Sequence, residues 1–507
     1  MRKATKCCCL LCAAALLLTG CGGKTIAPSA SVTLPPPEVK AAAPENDSAQ
    51  TYAQSVSLYL PSLDGTRLIA VPETAELSLS RPSAQALCQL LLAHPGTENA
   101  APVGGEVALS LSGTEAVEVS GRVATVSLGA SALRLSYEQL FAVGQALANT
   151  LCQFGDVEYV NLLISGVQPG LNVAATLPAG CFQQNTRENL STLWARASAP
   201  QTGARRSLVA ALYYPAPGGK GVLCEAQTLA FADLNPGPVM TTLLDALSAG
   251  AETLSGVPQY PGLTALLTKE PTVSETNGSR RAVLHFDASL NDQLLAAGIT
   301  RSVMVASLVY TLTTFLPGIE GVELHIGSEK ITTLTPSGTY LNAGETMNFP
   351  DGLMRRSDFS AFLLTPCTLY FASGEGKLRQ AVRAVPFYEG CSVRAIVGQL
   401  MQGPQPYDSP SGLSAALPEG LRDADLLGVS YENGVVMLNF SSQLITKCQG
   451  FSPAQERQMV YSLVNTLTQL PGVRRVCFFI LGDQPQSFAG ALYLPGDFMP
   501  NLDLIEN

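Results

Sequence analysis

The chain has 507 residues, of which 46% are hydrophobic and 14% are charged, and its formal net charge at pH 7 is −10. At roughly 150 residues per domain, this length predicts about three domains. The negative balance, without a dense Lys/Arg cluster, argues against nucleic acid as a partner, because nucleic-acid binding depends on neutralising phosphates. After residue 20 no apolar run reaches the roughly 20 residues that cross a bilayer, so we expect a soluble body.

Residues 1–21 have the pattern of an export signal. Three basic residues, Arg2, Lys3 and Lys6, precede the short apolar run CCCLLCAAALLL. The segment LTGC (18–21) resembles the lipobox of bacterial lipoproteins, which implies cleavage before Cys21 and a diacylglycerol group on its thiol. An ordinary secretory signal and an uncleaved anchor are the alternatives. We expect a lipid-anchored protein on the extracytoplasmic face of the cell membrane, because two or more acyl chains, palmitate among them, anchor stably.

Residues 22–54 are rich in Gly, Ala, Pro and Ser, contain Pro35-Pro36-Pro37 and show no apolar periodicity. Chains of this composition do not bury enough apolar surface to fold. We therefore predict a disordered tether that holds the folded body away from the membrane.

Three stretches of the remaining chain begin with a similar strand. These are VSLYLP (56–61), ALYYP (211–215) and CTLYF (367–371), and a Gly-containing turn follows each strand within a few residues. An apolar helix comes next, near residues 84–95, 239–250 and 393–404, and then a loop rich in Pro and Gly. Two strands follow the loop. In the third stretch, Asn433-Gly434 between these strands predicts a tight hairpin.

The most regular element is an amphipathic helix followed by a strand, and it occurs at residues 136–166, 300–327 and 452–482. In the third copy Ser452 and Gln455 have the spacing of a capping box, as Ser136 and Gln139 have in the first, and Pro453 suits the first helical position. The triplets NTL (149–151), YTL (310–312) and NTL (465–467) fall at the same place in each copy. We interpret these triplets as contacts between helix and sheet rather than as a repeated polar site.

These elements predict a triplicated α+β domain. Each copy has the order β-α-β-β-α-β and an irregular tail, and this mixture favours a two-layer sandwich with the helices on one face of a small sheet. We place the domains at residues 55–190, 207–357 and 365–503, joined by short linkers, one of which contains Trp194, the only tryptophan. A repeat of this length predicts an array of independent domains rather than a solenoid.

The third copy contains LYF, MQGP, LPEGL, VVMLNFSSQL and VNTLTQLPGV. These motifs resemble the GerMN domain, which is the sporulation and spore-germination domain of GerM lipoproteins in endospore-forming bacteria. The second copy departs most from this pattern, with Tyr310 in place of Asn and SAG (248–250) in place of GP (403–404). The resemblance covers all three predicted domains, which is nearly all of the chain after the tether.

The resemblance implies a compact fold similar to ring-building motifs, and a role in large assemblies between the two membranes of a developing spore. It brings no catalytic, cofactor-binding or metal-binding residues, so none is predicted, and Cys21 is the predicted site residue, for lipidation. The expected partners are the membrane, through the lipid anchor, together with proteins of the spore envelope and further copies of the chain.

The three histidines come closest to the pattern of a metal site. His285 in AVLHFD and His325 in VELHIG are predicted on strands of the same copy, where two imidazoles could share a metal. No carboxylate or Cys at ligand spacing accompanies them, which favours histidines on a solvent face. His94 precedes Pro95 at a predicted helix end, where a cation suits the carbonyl end of the helix dipole.

Thirteen cysteines are present, and five of them belong to the signal and the lipobox. The other eight show no C-x-x-C motif and no repeated placement, so buried apolar roles are expected for Cys88, Cys152 and Cys477. One disulfide in the third copy is the alternative, because four cysteines fall there and the predicted compartment lies outside the cytoplasm: Cys367, Cys391, Cys448 and Cys477.

Three functions are consistent with this pattern. The favoured one is a lipid-anchored, non-enzymatic envelope protein that supports sporulation or germination through protein–protein assembly. The alternative is an envelope binding module for peptidoglycan or a small ligand, which a deep pocket lined with aromatic residues would favour. An enzyme is the least supported, because the sequence has no nucleophile elbow, Walker loop or dinucleotide fingerprint.

Overall fold

The structure is a computed structural model that describes residues 42–48, 50–174, 176–199, 205–336 and 344–506. The predicted signal, Cys21 and most of the predicted tether lie outside these residues. Three segments of the described chain have a similar order of elements, and we call them the first (51–198), second (206–362) and third (364–506) repeats. No single described helix is both long and apolar enough to cross a membrane; the pair Leu290–Ala296 and Arg301–Phe315, bent by 103°, passes that test by length and composition.

The first repeat contains β1 (Thr51–Pro61), β2 (Leu68–Ser78), α1 (Ser83–Ala93), β3 (Val117–Ser120), β4 (Val123–Leu128), α2 (Tyr137–Leu151), β5 (Tyr159–Ile164), β6 (Phe182–Gln183) and α3 (Leu190–Ser198). The second contains β7 (Arg206–Pro215), β8 (Val222–Phe231), α4 (Pro236–Ala249), β9 (Thr272–Thr276), β10 (Ser279–Phe286), α5 (Leu290–Ala296), α6 (Arg301–Phe315), β11 (Gly321–Ile326), β12 (Glu329–Lys330), β13 (Thr333–Leu334), β14 (Met347–Asn348) and β15 (Met354–Arg355). The third contains β16 (Leu364–Ala372), β17 (Leu378–Pro386), α7 (Val393–Met401), β18 (Leu426–Glu432), β19 (Val435–Phe440), α8 (Gln443–Lys447), α9 (Pro453–Leu467), β20 (Arg475–Ile480) and β21 (Asp497–Phe498).

Each repeat opens with a two-stranded antiparallel hairpin, formed by β1–β2, β7–β8 or β16–β17. A second sheet follows the first helix. This sheet consists of an antiparallel hairpin and a further strand that pairs in parallel with the second strand of the hairpin. The parallel pairs are β4 with β5, β10 with β11 and β19 with β20. The predicted α+β fold is therefore confirmed, with helices and strands mixed in several small sheets.

Because it opens with a hairpin, each repeat has one strand more than the predicted order β-α-β-β-α-β. In β2 exposed positions alternate with partly buried ones, and only Ala75 and Leu77 are fully buried. A half-exposed strand of this kind lacks the apolar run by which a buried strand is recognised in a sequence. The main elements follow the order β-β-α-β-β-α-β with short strands in the tail, and a short helix, α5 or α8, precedes the long helix in the second and third repeats.

The long helices α2, α6 and α9 contact both the opening hairpin and the second sheet of their repeats. Both predicted capping boxes are present, Ser136 with Gln139 and Ser452 with Gln455. These side chains bind N–H groups that have no partner in the first turn of a helix. In α6 the whole of Ser302–Phe315 is buried, which explains why its sequence has no polar face.

Each repeat has its own hydrophobic core, which contains Leu147 in the first, Leu308 in the second and Leu463 in the third. The described residues from Ala43 onward nevertheless form one compact unit. Strands β3, β8 and β16 contact one another and so join the three repeats. The repeats are therefore packed against one another. They are not the independent domains that the length of the repeat predicts.

The two predicted linkers are structured. The segment around Trp194 is helix α3, whose Leu190 and Leu193 are buried, and the ring centroids of Trp194 and Phe141 lie 5.6 Å apart. A 3-10 helix, Arg356–Phe362, fills the second linker. Elements this short do not span the window of 11 to 18 residues in which helical periodicity is read, so the sequence does not reveal them.

The end of the predicted tether is also ordered. Residues 43–48, which we call the strap, lie against the third repeat, and β1 begins at Thr51, within the range predicted as tether. The backbone N–H of Ser48, for example, donates to the carbonyl oxygen of Val429 at 3.0 Å. Individual polar contacts fix the strap, and composition does not indicate such contacts.

Candidate functional site

A threonine on the long helix of each repeat binds the opening strand. Its hydroxyl oxygen accepts a hydrogen bond from the backbone N–H of the tyrosine in the Leu-Tyr strand. The pairs are Thr150 with Tyr59 (3.1 Å), Thr311 with Tyr213 (3.1 Å) and Thr466 with Tyr370 (3.0 Å). The helix covers this edge of the hairpin, where a buried N–H would otherwise lack a partner. The prediction that the triplets join helix and sheet is confirmed.

The first residue of each triplet holds the tail of its repeat. In two repeats an asparagine exchanges two hydrogen bonds with the backbone of a tail residue: Asn149 with Asn185 (2.8 and 3.0 Å) and Asn465 with Asn501 (2.9 and 3.0 Å). In the second repeat the hydroxyl of Tyr310 instead donates to the carbonyl oxygen of Phe359 at 3.2 Å. The recurring polar residues therefore make contacts within their own repeat.

One buried hydroxyl joins all three repeats. Ser120 at the end of β3 is 2% exposed. Its Oγ accepts the backbone N–H of Cys224, in the second repeat, at 2.9 Å and donates to the carbonyl oxygen of Leu364, in the third. At the next residue, Gly121, an added Cβ would clash with the carbonyl oxygen of Cys224. The three repeats are therefore in close contact around the end of β3.

A buried ion pair links the first and second repeats. The guanidinium of Arg356, which is 7% exposed, donates from Nε to Glu118 at 3.1 Å and also from Nη2. It donates further to the hydroxyls of Thr314 at 2.6 Å and Tyr213 at 3.1 Å, and it lies 4.2 Å from the centroid of the Tyr310 ring. Burial disfavours the charged form of Arg356, but Glu118 and the two tyrosines raise its pKa above the ordinary value.

A cleft of about 520 Å³ lies beside this ion pair, between the first repeat and the end of the second. Glu118 and Arg356 line it, together with Glu320 and Arg355, and none of its lining residues is aromatic. Six hydroxyl groups also face it: Ser112, Thr125, Ser127, Ser165, Ser357 and Ser360. Such a surface suits a small ligand with many hydrogen-bonding groups better than an apolar one.

A buried carboxylate orders the tail of the third repeat. Glu456 on α9 is 0% exposed, and the Ser487 hydroxyl donates to it at 2.7 Å. Its oxygens also accept four backbone N–H groups at 2.8 to 3.1 Å, those of Phe488, Ala489, Ala491 and Leu492. Burial raises the pKa of Glu456, but these hydrogen bonds outweigh burial and lower the pKa below its usual range.

His285 and His325 lie on neighbouring strands, as predicted. They are opposite each other in the parallel pair β10–β11, and their stacked rings have centroids 4.3 Å apart. Both are partly exposed, and Nε2 of His325 lies 2.9 Å from a carboxylate oxygen of Glu323. Burial, His325 and Lys269 lower the pKa of His285. Within the described ranges, no group of three or more His, Cys, Asp or Glu side chains is arranged to hold a metal ion.

His94 follows the last residue of α1, where the sequence places it. Its Nδ1 accepts the backbone N–H of Gly96 at 3.0 Å, and its Nε2 lies 3.3 Å from a carboxylate oxygen of Glu73. These contacts connect the helix end to the following turn and to β2. His94 therefore has a local structural role.

The eight cysteines after Cys21 are all described, and all are free thiols. Cys88 is buried in α1 and Cys477 in β20, and Cys152 follows the end of α2, in line with the apolar roles predicted for them. Burial raises the pKa of Cys152 to about 12. The alternative of a disulfide within the third repeat is not observed, and Cys21 itself lies outside the described residues.

Sequence reasoning did not identify Ser120, Glu118, Arg356 or Glu456. Glu118 and Arg356 are 238 positions apart, and no pattern in the sequence connects them. Glu456 lies in the first turn of α9, where the helix dipole stabilises a carboxylate. Its presence there is therefore explained without the tail, and the sequence does not indicate that it binds the tail.

A family model described as Germane, sporulation and spore germination, matches residues 211–332 and 368–486. These segments lie in the second and third repeats. They include both ends of the helix-to-strand bonds there, Tyr213 with Thr311 and Tyr370 with Thr466. No curated protein sequence matches the chain.

Three solved structures are similar to parts of the chain. The tandem GerMN domains of the sporulation protein GerM from Bacillus subtilis are 18% identical, with a TM-score of 0.22, over 58% of this chain and 98% of that one. A putative lipoprotein from Clostridium perfringens is 20% identical, with a TM-score of 0.19, over 27% and 87%. The first GerMN domain of GerM from Bacillus subtilis is 20% identical, with a TM-score of 0.20, over 28% and 97%.

The family model covers the greater part of the second and third repeats, including most of the opening hairpin and all of the long helix and the parallel strand pair of each. The second and third repeats therefore contain domains of the Germane (GerMN) family, which is linked to sporulation and spore germination.

Proposed function

We propose that the chain is a lipid-anchored, non-enzymatic envelope protein that supports sporulation or spore germination through protein–protein assembly. This proposal rests on the hydrogen bonds that the recurring polar residues make. The threonines and asparagines of the triplets bind strand and tail within each repeat, so they serve the fold. The outer surfaces of three packed repeats are then available to other proteins.

We also propose that the first repeat is a third Germane domain, beyond the residues that the family model matches. Its main strands and helices follow the same order as those of the other two repeats, apart from the short helices α5 and α8. Its Thr150 binds Tyr59 as Thr466 binds Tyr370. Its tail bond joins residues 36 positions apart, which is also the separation in the third repeat.

The proposed anchor is a lipid on Cys21. We expect labelled palmitate to be incorporated into the protein in a spore-forming host, and the protein to sediment with membranes. The variant Cys21→Ser should lose both properties, whereas Cys12→Ser, in the apolar run of the signal, should keep them. Equal membrane association and labelling of the Cys21→Ser chain would exclude lipidation at this residue.

The assembly function is tested by affinity purification from sporulating cells, with a tag at the C-terminus. We expect other proteins of the spore envelope to co-purify with the lipidated chain and to be lost with Cys21→Ser. Deletion of the chain should lower the yield of heat-resistant spores or their rate of germination. A deletion strain with normal sporulation and germination, together with no co-purified protein, would contradict the proposal.

A second candidate function is a binding module. The cleft between the first and second repeats lacks the aromatic lining expected for such a module, but it offers polar groups to a ligand. Its hydroxyls and charged groups suit a hydrophilic ligand such as a soluble peptidoglycan fragment. Calorimetric titration with purified muropeptides tests this function. Binding that Ser357→Ala and Ser360→Ala weaken would support the module, and the absence of heat at millimolar ligand would exclude it for this ligand class.

A further inference from the structure

The strap covers the outer face of the second sheet of the third repeat. Below it lie Met437, Cys477 and Phe479, which are 4%, 2% and 3% exposed, and Ala43 packs against them. The corresponding face of the second repeat carries His285 and His325, both partly exposed. The third repeat therefore has an apolar sheet face on which Ala43 of the strap packs, and Nε2 of Gln484 also lies 3.0 Å from the sulfur of Cys477.

Polar contacts fix the strap on this face. The Asn439 side chain donates to the carbonyl oxygen of Pro44 at 2.9 Å. The Asp47 carboxylate accepts the backbone N–H of Val429 at 3.1 Å and two hydrogen bonds from the guanidinium of Arg394, at 2.6 and 2.7 Å. Paired bonds of this kind between Arg and a carboxylate add geometric specificity to the charge attraction. The site thus recognises a short segment with an acidic residue at a defined position.

Gly428 leaves room for the strap on the third repeat. An added Cβ at this residue would lie 2.5 Å from the carbonyl oxygen of Pro44 and 2.7 Å from the backbone nitrogen of Asn46. A larger side chain at this position would therefore clash with the strap.

We propose that this face is an exchangeable docking site, and that its occupant in an assembly is the strap of a second copy of the chain. The strap makes its ion pair and its hydrogen bonds with the third repeat, so another chain can supply the same contacts. Exchange of an identical segment between copies is a low-cost route to association, because each interaction that opens within one chain forms again between two chains. The link is head-to-tail, since strap and site are different surfaces.

This inference rests on the assembly function proposed above, for which it supplies one contact. Its test uses purified full-length chains carrying complementary charge reversals. Asp47→Arg disables the strap and leaves the site intact, whereas Arg394→Asp disables the site and leaves the strap intact. Failure of this test would remove strap exchange, while the experiments in sporulating cells would still decide the assembly function.

We expect each variant alone to be monomeric by analytical ultracentrifugation, and their equimolar mixture to form a dimer. Concentrations on the order of 100 µM are suitable, because small interfaces bind weakly. The double variant Asp47→Arg/Arg394→Asp is the matched control. It restores the pair in reverse within one chain, and it should stay monomeric alone.

Alkylation of Cys477, followed by mass spectrometry, reports directly on the strap. Cys448, in the core of the same repeat and 0% exposed, is the internal reference. We expect Cys477 to react about tenfold faster in each single variant than in the double variant. Mixing should slow the reaction again in the Asp47→Arg chain, whose site is then occupied.

No dimer in the mixture, with Cys477 reactive in both variants, would overturn the proposal. An unreactive Cys477 in both variants would overturn it as well, since the strap would then not depend on this pair. If the reversals lower the melting temperature, Asp47→Asn with a synthetic peptide of residues 42–50 replaces them. Protection of Cys477 by this peptide, but not by its Asp47→Ala version, is then the supporting result, and no protection is the opposing one.

Discussion

Thr466 connects the long helix of the third repeat to its opening strand through a single hydrogen bond from Tyr370. Thr466→Val keeps the shape of the side chain but leaves the buried N–H of Tyr370 without a partner, which costs about 1–3 kcal/mol. We therefore expect the free energy of unfolding to fall by that amount in urea titrations. Thr466→Ser, which keeps the hydroxyl, should lose less.

The control for this prediction is Thr468→Val at the end of the same helix. The hydroxyl of Thr468 donates to the carbonyl oxygen of Val464 one turn earlier, and the residue is partly exposed. Its loss should change stability little, because no buried group is left without a partner. Equal losses at Thr466 and Thr468 would show that the bond to Tyr370 contributes nothing specific.

Glu456 predicts a dependence of stability on pH. Its pKa is lowered in the folded chain, so its contribution to stability is present above the unfolded pKa of about 4.5 and is lost as the pH falls through the folded pKa. Glu456→Gln removes the charge that the four N–H groups of the tail bind, and at neutral pH it should cost about 1.5–3 kcal/mol. Unfolding in urea at pH 7 and at pH 3 measures both effects. The gap between the two chains should narrow at the lower pH, and a gap that does not change with pH would contradict this role.

At the scale of elements, the pair of Glu118 and Arg356 joins β3 of the first repeat to the 3-10 helix that ends the second. Glu118→Ala leaves a buried guanidinium without its carboxylate, and breaking a buried pair in this way costs about 3–5 kcal/mol. We expect the free energy of unfolding to fall by that amount. The double variant Glu118→Ala/Arg356→Met removes the unpaired charge as well, so it should be more stable than Glu118→Ala alone.

The result for this pair is read as a double-mutant cycle. Additive losses in the two single variants would mean that Glu118 and Arg356 act separately. Arg122→Ala is a suitable control, because Arg122 lies close by in the first repeat but pairs with Glu158 on the surface. Exposed pairs contribute about 0–1 kcal/mol, so this variant should be close to the parent chain.

The elements that the sequence predicted are those with a strong local signal. The capping boxes at Ser136 and Ser452 and the Asn433-Gly434 turn are in place, because each depends on residues within a few positions of one another. Strand β2 and helix α3 were missed, since a half-exposed strand and a helix of nine residues have weak periodicity. Local chemistry thus determines much of each repeat.

At the scale of the whole molecule, the sequence predicted the repetition but not the packing. Thr150, Thr311 and Thr466 can be found by comparing the copies, because each repeat needs the same contact. Ser120 and Arg356 occur once, at contacts between repeats, and a comparison of copies cannot reveal them. The contacts of Ser120 and Arg356 form only when the three repeats pack together, so they have no equivalent within a single repeat.

Ser120 therefore tests whether the three repeats unfold together. Trp194, the only tryptophan, packs on the first repeat, so its fluorescence follows that repeat, while far-UV circular dichroism follows the whole chain. In the parent chain we expect the two urea transitions to coincide, as they do for a single cooperative unit.

Ser120→Ala removes the hydroxyl that binds Cys224 and Leu364 at the junction, leaving a buried N–H and a buried carbonyl unpaired at about 1–3 kcal/mol each. Because this loss falls on contacts between repeats, the fluorescence transition should separate from the dichroism transition. Ser131→Ala, which removes an exposed hydrogen bond to Ala108 within the first repeat, should leave the transitions coincident. Separate transitions already in the parent chain would mean that the repeats unfold independently despite their contacts, and the junction would then position the repeats without making their unfolding cooperative.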